Sequence, residues 1–206
     1  MALKHNFYIF SAMLYLLISS CSQDPSSQKN SNPTSAIKQE KAALVIPQQS
    51  ELDTLKGSLQ AEAQGKIGQA NVKISYHSPA VRGRVVWGGL VPYDQVWVTG
   101  AHSATSLETD RELTIGAKKI PPGKYALFTI PGKTEWTMII NKNWQQHLAD
   151  NYSDKDDLAR IDIEPENMQE HQERLRYQIL AYPENKGEIV VSWDKLKVSL
   201  PITTGN

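Results

Sequence analysis

From about Lys66 to the carboxyl end, apolar side chains recur at every second position, and this alternation restricts the fold more than any other feature. Val72, Ile74 and Tyr76 alternate with Lys73 and Ser75, and Leu113 and Ile115 alternate with Glu112 and Thr114. Trp136, Met138 and Ile140 form a further set, as do Leu175, Tyr177, Ile179 and Ala181. Ile189, Val191 and Trp193 follow, and then Leu196, Val198, Leu200 and Ile202. A strand turns successive side chains to opposite faces, so period two means one face buried and one solvated. Seven to nine such strands predict an all-β domain, an antiparallel β-sandwich or a jelly-roll-like fold closed over one core.

Turn residues punctuate the pattern where hairpins need them. Pro121-Pro122-Gly123 precedes a strand from Lys124 to Ile130, and Pro131-Gly132-Lys133 turns the chain into a partner from Glu135 to Asn141. Pro183 to Gly187 repeats the device before Glu188 to Trp193, and Asp194-Lys195 reads as a tight turn or a bulge. One short helical insertion is expected. Trp144, Leu148 and Tyr152 are spaced by four, and Ser153 with Asp156 forms a capping pattern for a segment through Ala159. Between Ser50 and Ala63, Leu52, Leu55 and Leu59 make a weak helical stripe. Ser58 to Ala63 alternates equally well as a first strand, so both readings stay open.

The amino terminus carries an address. Lys4 and His5 precede an apolar run from Phe7 to Ile18 broken only by Ser11. The run is shorter than the roughly 20 residues a spanning helix requires and matches a signal-peptide core. It ends in Leu17-Ile18-Ser19-Ser20-Cys21, which resembles a bacterial lipobox. That resemblance implies lipidation of Cys21, removal of residues 1–20 and attachment to a membrane of the cell envelope. The chain has no second cysteine, so an intrachain disulfide is impossible. Ser22 in place of aspartate after the lipidated residue favours the outer membrane over the inner. Ser22 to Gln39 is rich in Ser, Gln, Asn and Pro and reads as a disordered spacer. Glu40 to Ile46 has room for a helical turn or two before Pro47 stops it. The expected organisation is a signal at 1–20, a lipidated cysteine and tether at 21–57, and the β-domain at 58–206.

Charge excludes one partner class. Lys+Arg and Asp+Glu each number 22 across the 206 residues, without the basic excess that phosphate neutralisation demands, so no nucleic acid is expected. Phosphate-loop, dinucleotide and Gly-x-Ser-x-Gly motifs are absent, and no cofactor is expected. The five histidines (5, 77, 102, 147 and 171) are scattered rather than paired at ligand spacing, so no metal is expected.

Polar and aromatic residues in the predicted loops form the candidate ligand site: His77, Arg84, Tyr93, Trp97, His102 and Thr105. His77 and Arg84 flank a Pro/Gly turn and His102 follows Gly100, so the two loops are able to meet at one end of a sandwich. One reading is a polar pocket with the histidines as ligands or proton carriers. The other is a structural corner in which Arg84 bonds loop carbonyls. No catalytic residue is assigned, and the expected function is a non-catalytic binding module held at the envelope. An enzyme using His77, Arg84 and His102 is one alternative. A glycan- or cell-wall-binding domain using Trp97 or Trp144 is another.

Two segments carry a resemblance. The first runs Tyr76-His77-Ser78-Pro79-Ala80-Val81-Arg82-Gly83-Arg84-Val85-Val86-Trp87-Gly88-Gly89-Leu90-Val91-Pro92-Tyr93, and the second Val96-Trp97-Val98-Thr99-Gly100-Ala101-His102-Ser103-Ala104-Thr105. Pro122-Gly123-Lys124-Tyr125-Ala126-Leu127-Phe128 and Glu135-Trp136 follow. From about Gly65 to Ile202 the chain resembles the bacterial domain-of-unknown-function family 2911. That implies an exported β-rich domain and brings no established activity. Against the family pattern, Val98 stands where Arg is usual, His102 where Asn is usual and Ser103 where Glu is usual. If those polar residues form a site in relatives, this chain has altered it.

Overall fold

The computed structural model describes residues 44–205. The signal peptide, Cys21 and the tether as far as residue 43 lie outside the described residues. Ten strands follow in chain order: β1 Leu59–Ile67, β2 Ala70–Ser78, β3 Ser106–Thr109, β4 Leu113–Ile115, β5 Lys118–Ile120, β6 Gly123–Pro131, β7 Trp136–Asn141, β8 Asp157–Ile163, β9 Glu166–Tyr182 and β10 Lys186–Thr204. They form two sheets, ordered β1-β2-β3-β6-β7-β8 and β5-β4-β10-β9. Every pairing within them is antiparallel. The fold is the expected β-sandwich.

The alternation translates directly into the core. Val72, Ile74, Tyr76, Leu113, Ile115, Met138, Ile140, Tyr177, Ile189, Val191, Leu200 and Ile202 are all buried between the sheets. Four tryptophans pack together there. Trp87 meets Trp136 at 4.8 Å between ring centroids, and Trp97 stacks on Trp193 at 5.9 Å. Such edge-on and stacked pairs suit the ring quadrupole and add to the area they bury. Trp136 and Trp193 are each 2% exposed, as their phase in the alternation requires.

The expected hairpins form. β6 pairs with β7 from Ala126↔Asn141 to Pro131↔Trp136, and β9 pairs with β10 across Pro183 to Asn185. Asp194 is a bulge inside a continuous β10, with register shifts on either side of it and φ of 55°. Leu59–Ile67 is a strand, so the alternating reading of Ser58 to Ala63 prevails over the helical stripe.

The helical insertion does not form as expected. One 3-10 turn at Asp154–Asp156 is the only helical element among the described residues, and Asp157 already starts β8. Leu148 has φ of 47°, which breaks any helix through Trp144 and Tyr152. Side-chain amides take over the loop's backbone groups instead. Asn141 Nδ2 donates to the Ser153 carbonyl (2.9 Å), and Gln146 Nε2 donates to the Asn143 carbonyl (2.6 Å). The four-residue spacing serves another purpose here, since Trp144 and Tyr152 both pack over the outer face of β6 and β7.

Residues 44–57, assigned above to the tether, lie against the domain as an extended strap over the seam between edge strands β1 and β9. Glu62 N–H donates to the Leu44 carbonyl and Glu173 N–H to the Gln49 carbonyl, so the strap bonds both sheets. Ile46 is 3% exposed. Unpaired edges invite other chains, and the strap covers this one.

Candidate functional site

The outer face of the six-stranded sheet divides in two. Over β6 and β7, residues 96–104 and 143–152 close a second small core built on Val98, Ala104, Ala126, Phe128 and Ile139. Over β1, β2 and β3 the outward face is less covered, with Gln60 exposed, Ser75 and His77 half-buried and Ser106 buried. Between the two halves lies a groove of about 460 Å³ lined by Ser75, His77, Ser106, Lys124, Trp144 and His147, among others.

The two covering segments hold each other in place. Ala104 N–H donates to the Gln146 carbonyl (3.0 Å), and Leu148 N–H donates to the His102 carbonyl (2.6 Å). Ser103 bridges His147 in antiparallel fashion. His102 has φ of 62°, a left-handed conformation in which Asn and His are enriched. Val98 is 2% exposed and belongs to the small core.

The structure brings His77 and His102 together, their rings edge-on at 5.1 Å. Burial of the His77 ring, and then the neighbouring His102, holds the His77 pKa below the ordinary histidine value. His77 is thus an uncharged imidazole at neutral pH, able both to donate and to accept. Across the groove, Lys124 Nζ lies 4.2 Å from the centre of the Trp144 ring, a cation–π contact. His147 Nδ1 lies 2.9 Å from Asp150 Oδ2. Ser75 Oγ donates to Glu62 Oε1 at 3.1 Å.

The other four candidates are placed in supporting positions. Arg84 donates through Nε to the Val81 carbonyl (3.0 Å) and through Nη2 to the Ala80 carbonyl (2.5 Å), bracing its own turn. Tyr93 packs on Gly88, where a Cβ would come within 2.9 Å of its ring. Trp97 donates to the Gly100 carbonyl (3.1 Å) and stacks in the tryptophan cluster. Thr105 is fully buried, and its hydroxyl donates to the Thr99 carbonyl (3.1 Å). The same carbonyl accepts from Tyr177 Oη (3.0 Å), which reaches across the core from β9. Two donors on Thr99 fix the loop that presents His102.

Sequence reasoning missed Gln60, Ser75, Ser106 and Lys124 as groove residues. The alternation held the signal for most of them. Ser75 and His77 share the outward phase of β2, Gln60 pairs with His77 and Ser106 pairs with Ser75. The 79–105 connection between β2 and β3 was a further signal, since connections that long inside a compact domain usually carry function. No group of three or more His, Cys, Asp or Glu among the described residues is placed to hold a metal ion.

Neither a curated protein nor a solved structure matches this chain. Residues 58–202, which take in all ten strands except the last two residues of β10, match the family described as protein of unknown function (DUF2911), and the chain belongs to that family.

Proposed function

We propose that this chain is a binding module exported to the cell envelope, anchored through a lipid on Cys21, and that its groove beside β2 takes a hydroxyl-rich ligand of the saccharide class. The observation that carries this reading is the groove's chemistry. The Trp144 indole, with Lys124 Nζ over its ring, lines the groove together with Ser75, His77 and Ser106, and the side chains of Gln60 and Gln145 lie beside them. An aromatic side chain beside convergent hydrogen-bonding groups, the Lys124 ammonium among them, is how concave sites orient a polyhydroxylated ring. The lowered pKa of His77 keeps that imidazole neutral, so it can pair with a sugar hydroxyl without demanding a counter-charge.

The export reading rests on the apolar run ending at Cys21 and predicts that Cys21→Ser leaves the precursor unprocessed. The groove reading is tested by titrating the mature chain with a panel of envelope polysaccharide fragments while recording tryptophan fluorescence. A saturable change that disappears in both Trp144→Phe and His77→Ala supports it. A change that persists in both variants, or no response from any glycan, refutes it. The histidine pair also supports a second reading, acid–base chemistry between His77 and His102. A hydrolytic activity of the mature chain lost in either His→Ala variant would favour that reading over simple binding.

A further inference from the structure

We infer that the end of the sandwich formed by the strap and the 81–91 turn rests on an anionic lipid surface, a contact separate from the groove and from any acyl anchor. Exposed large apolar side chains are concentrated there. Of the eight among the described residues, Leu52 and Leu55 flank Asp53 on the part of the strap that meets the turn and Val85 and Leu90 lie on the turn itself, while Leu44 and Val45 lie farther along the seam beside Glu62 and Leu180. Val85 is 73% exposed and Leu52 70%. Monomer surfaces scatter such residues singly, whereas Leu52, Leu55, Val85 and Leu90 occupy two neighbouring segments.

The two segments are bound together. Arg82 donates through its guanidinium to the carbonyl of Leu55, and Arg82 N–H donates to Glu173 Oε1 (2.9 Å). Val81 N–H donates to the Glu173 carbonyl (2.8 Å), and Leu90 N–H donates to the Val85 carbonyl (3.1 Å). The turn therefore presents Val85 and Leu90 on a fixed support.

Charge selects the occupant. Residues 44–57 and 81–91 carry Lys56, Arg82 and Arg84 against Glu51 and Asp53, and the Asp53 carboxylate is buried in an ion pair with Arg174. Three cations beside exposed Leu and Val side chains suit a headgroup layer, where the charges meet phosphates and the apolar tips enter the acyl boundary. Where the chain leads points the same way. The strap continues toward Cys21, and residues 22–43 reach at most roughly 75 Å when fully extended. A segment of that length allows the domain to reach the membrane. The inference deepens the export reading above, because it requires the chain to reach a membrane.

Its test uses the chain from residue 22 onward, without signal or lipid, so that failure of lipidation at Cys21 does not affect the result. Co-sedimentation is measured with vesicles of phosphatidylglycerol and phosphatidylethanolamine, and with phosphatidylcholine alone. Binding to the anionic vesicles only is expected, falling about fivefold in Lys56→Gln and weakened again in Val85→Ser/Leu90→Ser, with unchanged thermal midpoints. Trp144→Phe leaves it unaltered. Absence of binding to any vesicle at low salt overturns the inference, as does binding that survives all three of the Lys56, Val85 and Leu90 substitutions. Processing of the full precursor at Cys21, followed separately by mass, reads the anchor independently.

Discussion

Asp53 of the strap meets Arg174 of β9 in an ion pair in which both side chains are almost fully removed from solvent, 5% and 1% exposed. Arg174 also donates to the carbonyls of Ser78 (2.7 Å), Leu55 (2.9 Å) and Gly57 (3.2 Å), so the guanidinium is shared among β2, β9 and the strap. Removing one partner of such a pair leaves a desolvated charge, which costs about 3–5 kcal/mol. Asp53→Ala is therefore expected to lower the unfolding free energy in urea by about that amount. A loss below about 1 kcal/mol would show that the strap contributes nothing to the pair.

The strap also shifts the effective start of the domain. The family match begins at Ser58, after Ile46, Asp53 and the carbonyls that β9 uses. A chain begun at Ser58 is expected to be less stable than one begun at Leu44 by at least the Asp53→Ala loss. It also exposes the seam between β1 and β9. Urea midpoints and sedimentation of the two chains side by side provide the check. Equal stability and equal monomer content would assign the strap no structural role.

Which parts of this arrangement the sequence discloses follows from range. Alternation is local, and it correctly placed Tyr76, Trp136 and Tyr177 in the core and Ser75 on the opposite face, because each strand position must choose one of two faces, whereas His77, read as a loop residue, is an outward position of β2. Asp53 and Arg174 lie too far apart in the chain for any local period to link them. Their partnership depends on the packing of the seam. The spacing of Trp144, Leu148 and Tyr152 misled for the opposite reason. A period of four means one face only if the backbone is helical, and the loop packs Trp144 and Tyr152 half-buried against the small core with a positive φ at Leu148 instead. Of the six candidate ligand residues, His77 and His102 converge because Gly100 and the positive φ values of Thr99 and His102 fold the second loop back over β2. Arg84, Tyr93, Trp97 and Thr105 share those loops but face inward or along them, a distinction that loop sequence does not encode.

Tyr177 connects the core to the groove. Its hydroxyl donates to the Thr99 carbonyl, while its ring meets Tyr76 edge-on at 4.7 Å. Tyr177→Phe keeps the ring contact and removes one buried hydrogen bond, for an expected loss of about 1 kcal/mol. Thr105 still donates to the same carbonyl, so the loop should loosen rather than unfold. The expected signature is broadened imidazole resonances of His102 with little change in far-ultraviolet circular dichroism. Unchanged His102 lines would mean that the loop is held without Tyr177.

His77 makes stability depend on pH in a direction that can be worked out. Its folded-state pKa lies below the ordinary value of 6.5, first because the ring is partly buried and then because His102 stands beside it. An unfolded chain binds this proton more readily than the folded one. Between the folded pKa and 6.5 the unfolded state therefore carries more protons, and stability rises with pH across that window. The contribution is fully present above 6.5 and is lost as pH falls through the folded value. His77→Gln removes the titrating ring while keeping hydrogen-bonding capacity, so its stability is expected to change less than the native chain's as pH falls from about 7.5 to about 5. Urea midpoints at each pH supply the measurement. Parallel curves for the two chains would show that neither burial nor His102 perturbs the His77 ring in the folded chain.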